Sequence, residues 1–262
     1  MKIQIQGVGK RFRVRDADRP FTALDDVNLD VRTGEFLTLV GPSGCGTSTL
    51  LGLLAGLAEP TSGRILLDGA PVDGPGPSLG IVFQQDTPSP RRTALPGAGS
   101  GPGAEAVPRR KRKERARSYL ELVGLRELSG GTRRRAALAR SLAAGPDVLL
   151  MDDPFAALDR RTREPLQEEL LRIWQETGKT IVFVTRDIDE AVYLGRRIAV
   201  VTPRPGRIKG IVDVAFDSRE GDLRAGARFA EYRREVWSLL RAEDGDRTSR
   251  QNDESRSEQK AP

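Results

Sequence analysis

The 262-residue chain contains no histidine and a single cysteine, Cys45. Without histidine there is no Ser-His-Asp triad, no His-ligated zinc or haem, and no imidazole proton shuttle. One cysteine excludes an intrachain disulfide and fits a reducing compartment. No stretch reaches the roughly 18 consecutive apolar residues of a membrane-spanning helix. The first ten residues, MKIQIQGVGK, lack the apolar core of a secretion signal, so the chain itself is expected to stay in the cytosol.

Lysine is scarce as well. Only seven of the 43 basic residues are lysine, and the rest are arginine, against 37 acidic residues. The formal net charge is +6, and one run, RRKRKERAR at 109–117, carries that excess by itself. The remainder of the chain is neutral. A single basic run is read as a solvated helix face, so a nucleic-acid partner is not expected.

What is present has the pattern of an α/β core. The length, with 37% hydrophobic residues, suits one large domain. Residues 2–8 and 26–32 alternate apolar and polar side chains, as half-exposed antiparallel strands do. FLTLV at 36–40, VLLM at 148–151 and TIVFV at 180–184 are continuous apolar runs, the pattern of parallel strands buried on both faces. Short strands are expected at 65–67, 81–83, 198–201 and 208–214, and helices at 48–57, 162–177 and 228–240. The last of these should cap the core, with Trp174 and Trp237 as packing residues. Residues 95–108, rich in Gly and Pro, read as loop. The tail 242–262 has no large apolar residue and is expected to be disordered.

The segment GPSGCGTS at 41–48 nearly fits the phosphate-binding pattern Gly-x4-Gly-Lys-Ser/Thr between a strand and a helix. Glycines let backbone N–H groups curl around an anion, and a helix N-terminus adds positive potential. Taken alone, the segment has the form of either a phosphate cradle or an ordinary Gly-rich turn. Further along stand LSGGT at 128–132, VLLMDDP at 148–154, ALD at 157–159 and VTRD at 184–187. This ordered set resembles the ATP-binding subunit of ABC transporters, over residues 1–241. GEFLTLVGPSGCG, GPGPSLGIVFQQD, MDDPFAALD, DIDEAV and RPGRI look like the nitrate/sulfonate/taurine importer branch.

That resemblance implies a three-layer α/β core of the P-loop NTPase type, with an antiparallel β subdomain. It also implies a helical subdomain at about 85–140, here shortened. ATP and Mg²⁺ are the implied ligands. Phe12 would stack on the adenine ring. Gly41, Pro42, Ser43, Gly44, Cys45, Gly46, Thr47, Ser48 and Thr49 would surround the phosphates. Ser48, Gln84 and Asp152 would serve Mg²⁺, with Gln84 also sensing the membrane partner. Asp153 would occupy the general-base position, and Arg186 the switch position. Ser129, Gly130 and Gly131 would complete the γ-phosphate site of a second subunit, and Asp159 would bridge the two sites.

The function implied is coupling of ATP binding and hydrolysis to solute uptake, of nitrate, sulfonate or taurine type. Its partners would be membrane permease subunits, a periplasmic or lipid-anchored solute-binding protein, and a second ATP-binding subunit, identical or related. The subunit would sit on the inner face of the cell membrane. The alternatives are a catalytically impaired nucleotide-binding pseudo-ATPase or heterodimer partner and, less favoured, a soluble ABC protein acting on nucleic acid.

Four departures from the family pattern bear on mechanism. Thr47 stands where the family has lysine. Loss of a charge-assisted contact of about 1.5–3 kcal/mol corresponds to roughly a tenfold to hundredfold loss. Asp153 replaces a glutamate, which sets the carboxylate back by one methylene. Arg186 replaces a histidine and cannot accept a proton, although it could pair with the γ-phosphate as a fixed cation. In the helical subdomain, 95–108 replaces a helix-forming segment, Arg91 stands where the branch carries Trp, and the link before Ser129 is short.

Overall fold

The computed structural model describes residues 1–13, 20–76, 78–82, 145–156, 158–216 and 223–241. Among them the chain runs through β1 (Ile3–Phe12), β2 (Phe21–Val31), β3 (Phe36–Val40), α1 (Thr47–Leu54), β4 (Ser62–Leu67), β5 (Ala70–Pro71) and β6 (Leu79–Val82). It continues through β7 (Val148–Asp152), α2 (Arg160–Thr177), β8 (Thr180–Thr185), α3 (Ile188–Leu194), β9 (Arg197–Val201), β10 (Ile208–Asp213) and α4 (Ala227–Arg241).

The strands form two sheets. An antiparallel sheet has the order β2-β1-β4-β5, and a larger one the order β10-β9-β3-β8-β7-β6. In the larger sheet β9, β3, β8, β7 and β6 pair in parallel, and β10 adds an antiparallel edge. Alternate residues of the parallel strands face two different cores. Phe36, Val40, Leu149, Met151, Ile181, Phe183, Ile198 and Val200 pack against α2, α3 and α4. Leu37, Leu39, Val148, Leu150, Val182, Val184 and Ala199 pack against α1 and the antiparallel sheet. Both faces are covered, which is why these strands read as unbroken apolar runs rather than as alternation. The result is the expected three-layer α/β architecture.

Most expected elements are present with ends shifted by a few residues; β1 extends to Phe12 and β2 begins at Phe21. Helix α3 had no periodicity to reveal it. It is seven residues long, and Glu190 through Leu194 are all buried, so it has no polar stripe. Helix α4 caps the core through Phe229 and Val236. Trp174 packs as expected: its ring meets Phe36 edge-on at 5.7 Å, and its indole N–H donates to the Gly34 carbonyl at 3.0 Å. Trp237 does not. It is 52% exposed, because the buried stripe of α4 passes through Phe229 and Val236 instead. The insert expected at 85–140, the run 109–117 and the tail 242–262 lie outside the described residues.

The turn between β9 and β10, residues 202–207, presses against the phosphate-loop segment. The Gly206 N–H donates to the Ala23 carbonyl at 2.9 Å, and the Asp25 N–H donates to the Gly206 carbonyl at 3.0 Å. A Cβ on Gly206 would stand 2.0 Å from the Cys45 carbonyl oxygen. Gly206→Ala is therefore expected to destabilise by about 1–3 kcal/mol, the usual cost of overpacking, lowering Tm by several degrees. Gly52→Ala, which meets nothing within 4 Å, is expected to leave Tm unchanged or slightly raised. Thermal melts of the two variants beside the unaltered chain check both, and equal Tm values for the two variants would contradict the packing described.

Candidate functional site

The site begins where β3 ends. Val40 runs directly into Gly41, and the loop closes onto the first turn of α1. Only glycine fits two of its positions. A Cβ on Gly41 would lie 2.7 Å from Cys45 Sγ, and Gly46 has φ 95°, with its would-be Cβ 2.8 Å from the Ala23 carbonyl. Helix α1 has no side-chain cap at its N-terminus, so its first-turn N–H groups suit an anion. Pro42, Ser43 and Gly44 are exposed at the tip, and Thr49 is half-buried in the first turn. This cradle fits a polyphosphate.

Thr47 does not reach into it. Its side chain is buried, with Oγ1 3.5 Å from Cys45 Sγ. Cys45 is itself buried and fills the inside of the loop.

Register brings the acidic residues to the loop. Val40 lies opposite Thr185, and Val184 opposite Asp152, so β3, β8 and β7 end side by side. Ser48 Oγ donates to Asp152 Oδ1 at 3.0 Å. Burial raises the Asp152 carboxyl above its ordinary range; the Ser48 hydrogen bond opposes this, the charge of Asp153 adds to it, and Arg186 opposes it. A hydroxyl and a carboxylate are hard oxygen donors of the kind Mg²⁺ takes, alongside water and phosphate. The residues fit that ion, and a cation there would favour the ionised form of Asp152.

Asp153 follows in a left-handed conformation, φ 44°, which aspartate tolerates better than most residues. It is buried, and its Oδ2 accepts from both Nε and an Nη of Arg186, each at 3.0 Å. The guanidinium that could have served as a γ-phosphate cation is turned onto the Asp153 carboxylate, the residue expected at the general-base position. The side chain of Arg186 is 56% exposed, so it is held from one side only.

Phe12 ends β1 and lies opposite Phe21 in register, with ring centroids 6.4 Å apart and Lys10 Nζ 5.3 Å from the Phe12 ring. It is 40% exposed. Asp159 caps α2: it accepts from the Thr162 N–H at 3.1 Å and the Thr162 hydroxyl at 2.9 Å. These bonds hold its carboxyl below the usual range, the Thr162 hydroxyl contributing most. Gln84, Ser129, Gly130 and Gly131 lie outside the described residues.

Beside Asp153 and Arg186 opens a cavity of about 350 Å³, lined also by Phe155, Arg163, Asp187 and Glu190. Glu190 has no place in the sequence reading beyond the string DIDEAV. It is buried on α3 and accepts from Gln167 Nε2 at 2.7 Å. An acid among apolar letters in a helix too short to show a stripe gives no sequence signal of burial.

A Gly-rich loop on the helix after a parallel strand, with a hydroxyl and two carboxylates at neighbouring strand ends, defines a P-loop nucleotide-binding cassette. Comparisons with known proteins make that class specific. The sequence profile described as ABC transporter matches residues 24–156. An uncharacterized ABC transporter ATP-binding protein of Methanocaldococcus jannaschii is 46% identical over 251 residues, 93% of this chain and 92% of that protein. A taurine import ATP-binding protein of Rhizobium johnstonii is 44% identical over 236 residues, 85% of this chain and 90% of that one. Among solved structures, a dimeric ATP-binding cassette in a post-hydrolysis state, bound to ADP and phosphate, superposes with TM-score 0.71 at 30% identity, covering 82% of this chain and 99% of the other. The chain belongs to the ABC transporter family, as an ATP-binding subunit of the importer branch.

Glu190 gives the site a pH signature. Burial pushes its carboxyl from the ordinary 4.5 up to about 7, against hydrogen bonds from Thr185 and Gln167. The folded chain therefore holds a proton that the unfolded chain releases between about pH 4.5 and 7, and stability falls as pH rises through that window. Glu190→Gln is expected to remove this slope. Urea midpoints at pH 5 and pH 8 should show a loss on the order of 2 kcal/mol in the unaltered chain that the variant does not share.

Proposed function

We propose that this chain binds ATP with Mg²⁺ and works as one of two ATP-binding subunits that drive uptake of a small sulfonate such as taurine. The adjacency that carries the reading is Ser48, Asp152, Asp153 and Arg186 gathered beside the glycine cradle. The adenine stacks on Phe12, and the loop 41–49 receives the phosphates through its N–H groups. Ser48 and Asp152 would hold Mg²⁺, which would supply positive charge to the phosphates. Asp153 orients the attacking water. Gln84, Ser129, Gly130 and Gly131 act from the segments that meet the permease and the second subunit, and Asp159 faces that subunit from the start of α2. The resemblance to taurine import subunits along most of both chains supports the solute class and the partners: permease subunits in the membrane and a solute-binding protein beyond them. A place on the inner face of the membrane follows from those partners. Among the described residues no helix is long and apolar enough to cross a membrane. The relatives lend no support to a pseudo-ATPase or a nucleic-acid-acting protein.

Hydrolysis in this subunit is slow. Thr47 brings no charge to the phosphates, and Asp153 is engaged by Arg186. ATP turnover of the purified chain, with and without Mg²⁺, beside Thr47→Lys tests the reading. Turnover that requires Mg²⁺ and rises by about tenfold or more in the variant is expected, from the size of a charge-assisted contact. Equal rates would contradict this account of the loop, and no Mg²⁺-dependent turnover in either chain would contradict the ATPase reading.

A further inference from the structure

The loop 41–49 contains no basic residue, yet the sheet delivers one to its tip. β9 pairs in parallel with β3, Val200 opposite Val40. The two strands leave the sheet in step, so that Arg204 arrives opposite Gly44. Arg204 Nε donates to the Gly44 carbonyl at 3.2 Å, and an Nη lies 2.8 Å from where a Cβ on Gly44 would stand. Its Cζ sits 4.2 Å from the centroid of the Phe21 ring, and that ring neighbours Phe12. One exposed guanidinium thus spans the distance from the aromatic pair at the hairpin end to the tip of the phosphate cradle.

The turn that carries it is fixed on both sides. Thr202 Oγ1 donates to the Pro205 carbonyl at 3.0 Å and accepts from the Arg207 N–H at 3.0 Å. Arg207 pairs with Asp25 on β2, and Gly206 abuts Cys45. A long side chain on a turn anchored in this way begins from a defined place, which reduces the entropy lost on meeting a ligand. Thr47 is neutral and turned onto Cys45, and the Arg186 guanidinium is turned onto Asp153.

We propose that Arg204 is a nucleotide-binding residue whose guanidinium supplies the ATP polyphosphate with the positive charge that Thr47 lacks. The assignment rests on the ATP-binding reading and adds to it a residue outside the phosphate loop. A planar guanidinium offers two parallel N–H groups to phosphate oxygens, which the compact charge of a lysine does not. The contribution grows with the charge of the ligand, so it is largest for ATP, smaller for ADP and absent for adenosine.

Calorimetric binding of ATP with Mg²⁺, ADP and adenosine to the full chain tests this, using Arg204→Gln and Arg204→Lys, each alone and combined with Thr47→Lys. Arg204→Gln is expected to weaken ATP about tenfold and leave adenosine unchanged, on the scale of one charge-assisted contact. Arg204→Lys recovers part of the loss, and in the Thr47→Lys background the loss shrinks to about threefold or less, as coupled groups behave. Unchanged ATP affinity in Arg204→Gln, or an equal loss for ATP and adenosine, overturns the assignment while leaving the ATP-binding reading intact. No ATP binding by the unaltered chain overturns both.

Discussion

The parallel register of β9, β3, β8 and β7 decides where every charged group of the site stands. These four strands end level, with Val200 opposite Val40, Val40 opposite Thr185 and Val184 opposite Asp152. Whatever follows each strand is therefore delivered to one edge: the glycine cradle after β3, Arg186 after β8, Asp153 after β7 and Arg204 after β9. The register is held by side chains that alternate between two filled cores, so a slip of one residue would exchange the cores and is strongly disfavoured. The site inherits its precision from apolar packing that touches no ligand.

On that edge the charges are arranged differently from the family pattern the motifs suggest. The missing lysine leaves the cradle with backbone N–H groups and a buried hydroxyl. Arg186 cannot accept a proton, and it spends its guanidinium on the carboxylate of Asp153. Asp153 and Asp152 are adjacent acids in a partly buried setting, and a cation beside them relieves their mutual repulsion. A cation at the switch position is thus an electrostatic complement to paired acids at the end of β7, whatever it does to the reaction. An oxygen that already accepts two guanidinium N–H groups is a poor place to receive a proton from water.

The layers, the strand positions and the phosphate loop were legible because they rest on local patterns: unbroken apolar runs, alternation, and glycine at turns. So was the gathering of Ser48, Asp152 and Asp153 beside the loop, because these residues sit at motif positions next to strand ends. The Asp153–Arg186 pair was not. It joins residues 33 apart in sequence through the register of β7 and β8, and no spacing rule encodes that. Arg204 was visible within RPGRI, but its closeness to Gly44 depends on two strands pairing 160 residues apart. Helix α3 and buried Glu190 escaped because a seven-residue helix, buried from Glu190 through Leu194, is too short to display an amphipathic period. Trp237 shows the converse: an apolar letter on a helix is no evidence of burial until the partner face is known.

On the proposed function, the Arg186–Asp153 ion pair limits hydrolysis. A double-mutant cycle on single-turnover hydrolysis of ATP with Mg²⁺, using Arg186→His, Asp153→Asn and the two combined, reads it directly. Arg186→His is predicted to raise the rate by about tenfold, the scale of freeing one charge-assisted bond, and to give no gain once Asp153 is Asn. A rate that falls in Arg186→His, or a gain that persists without the Asp153 carboxylate, would contradict it.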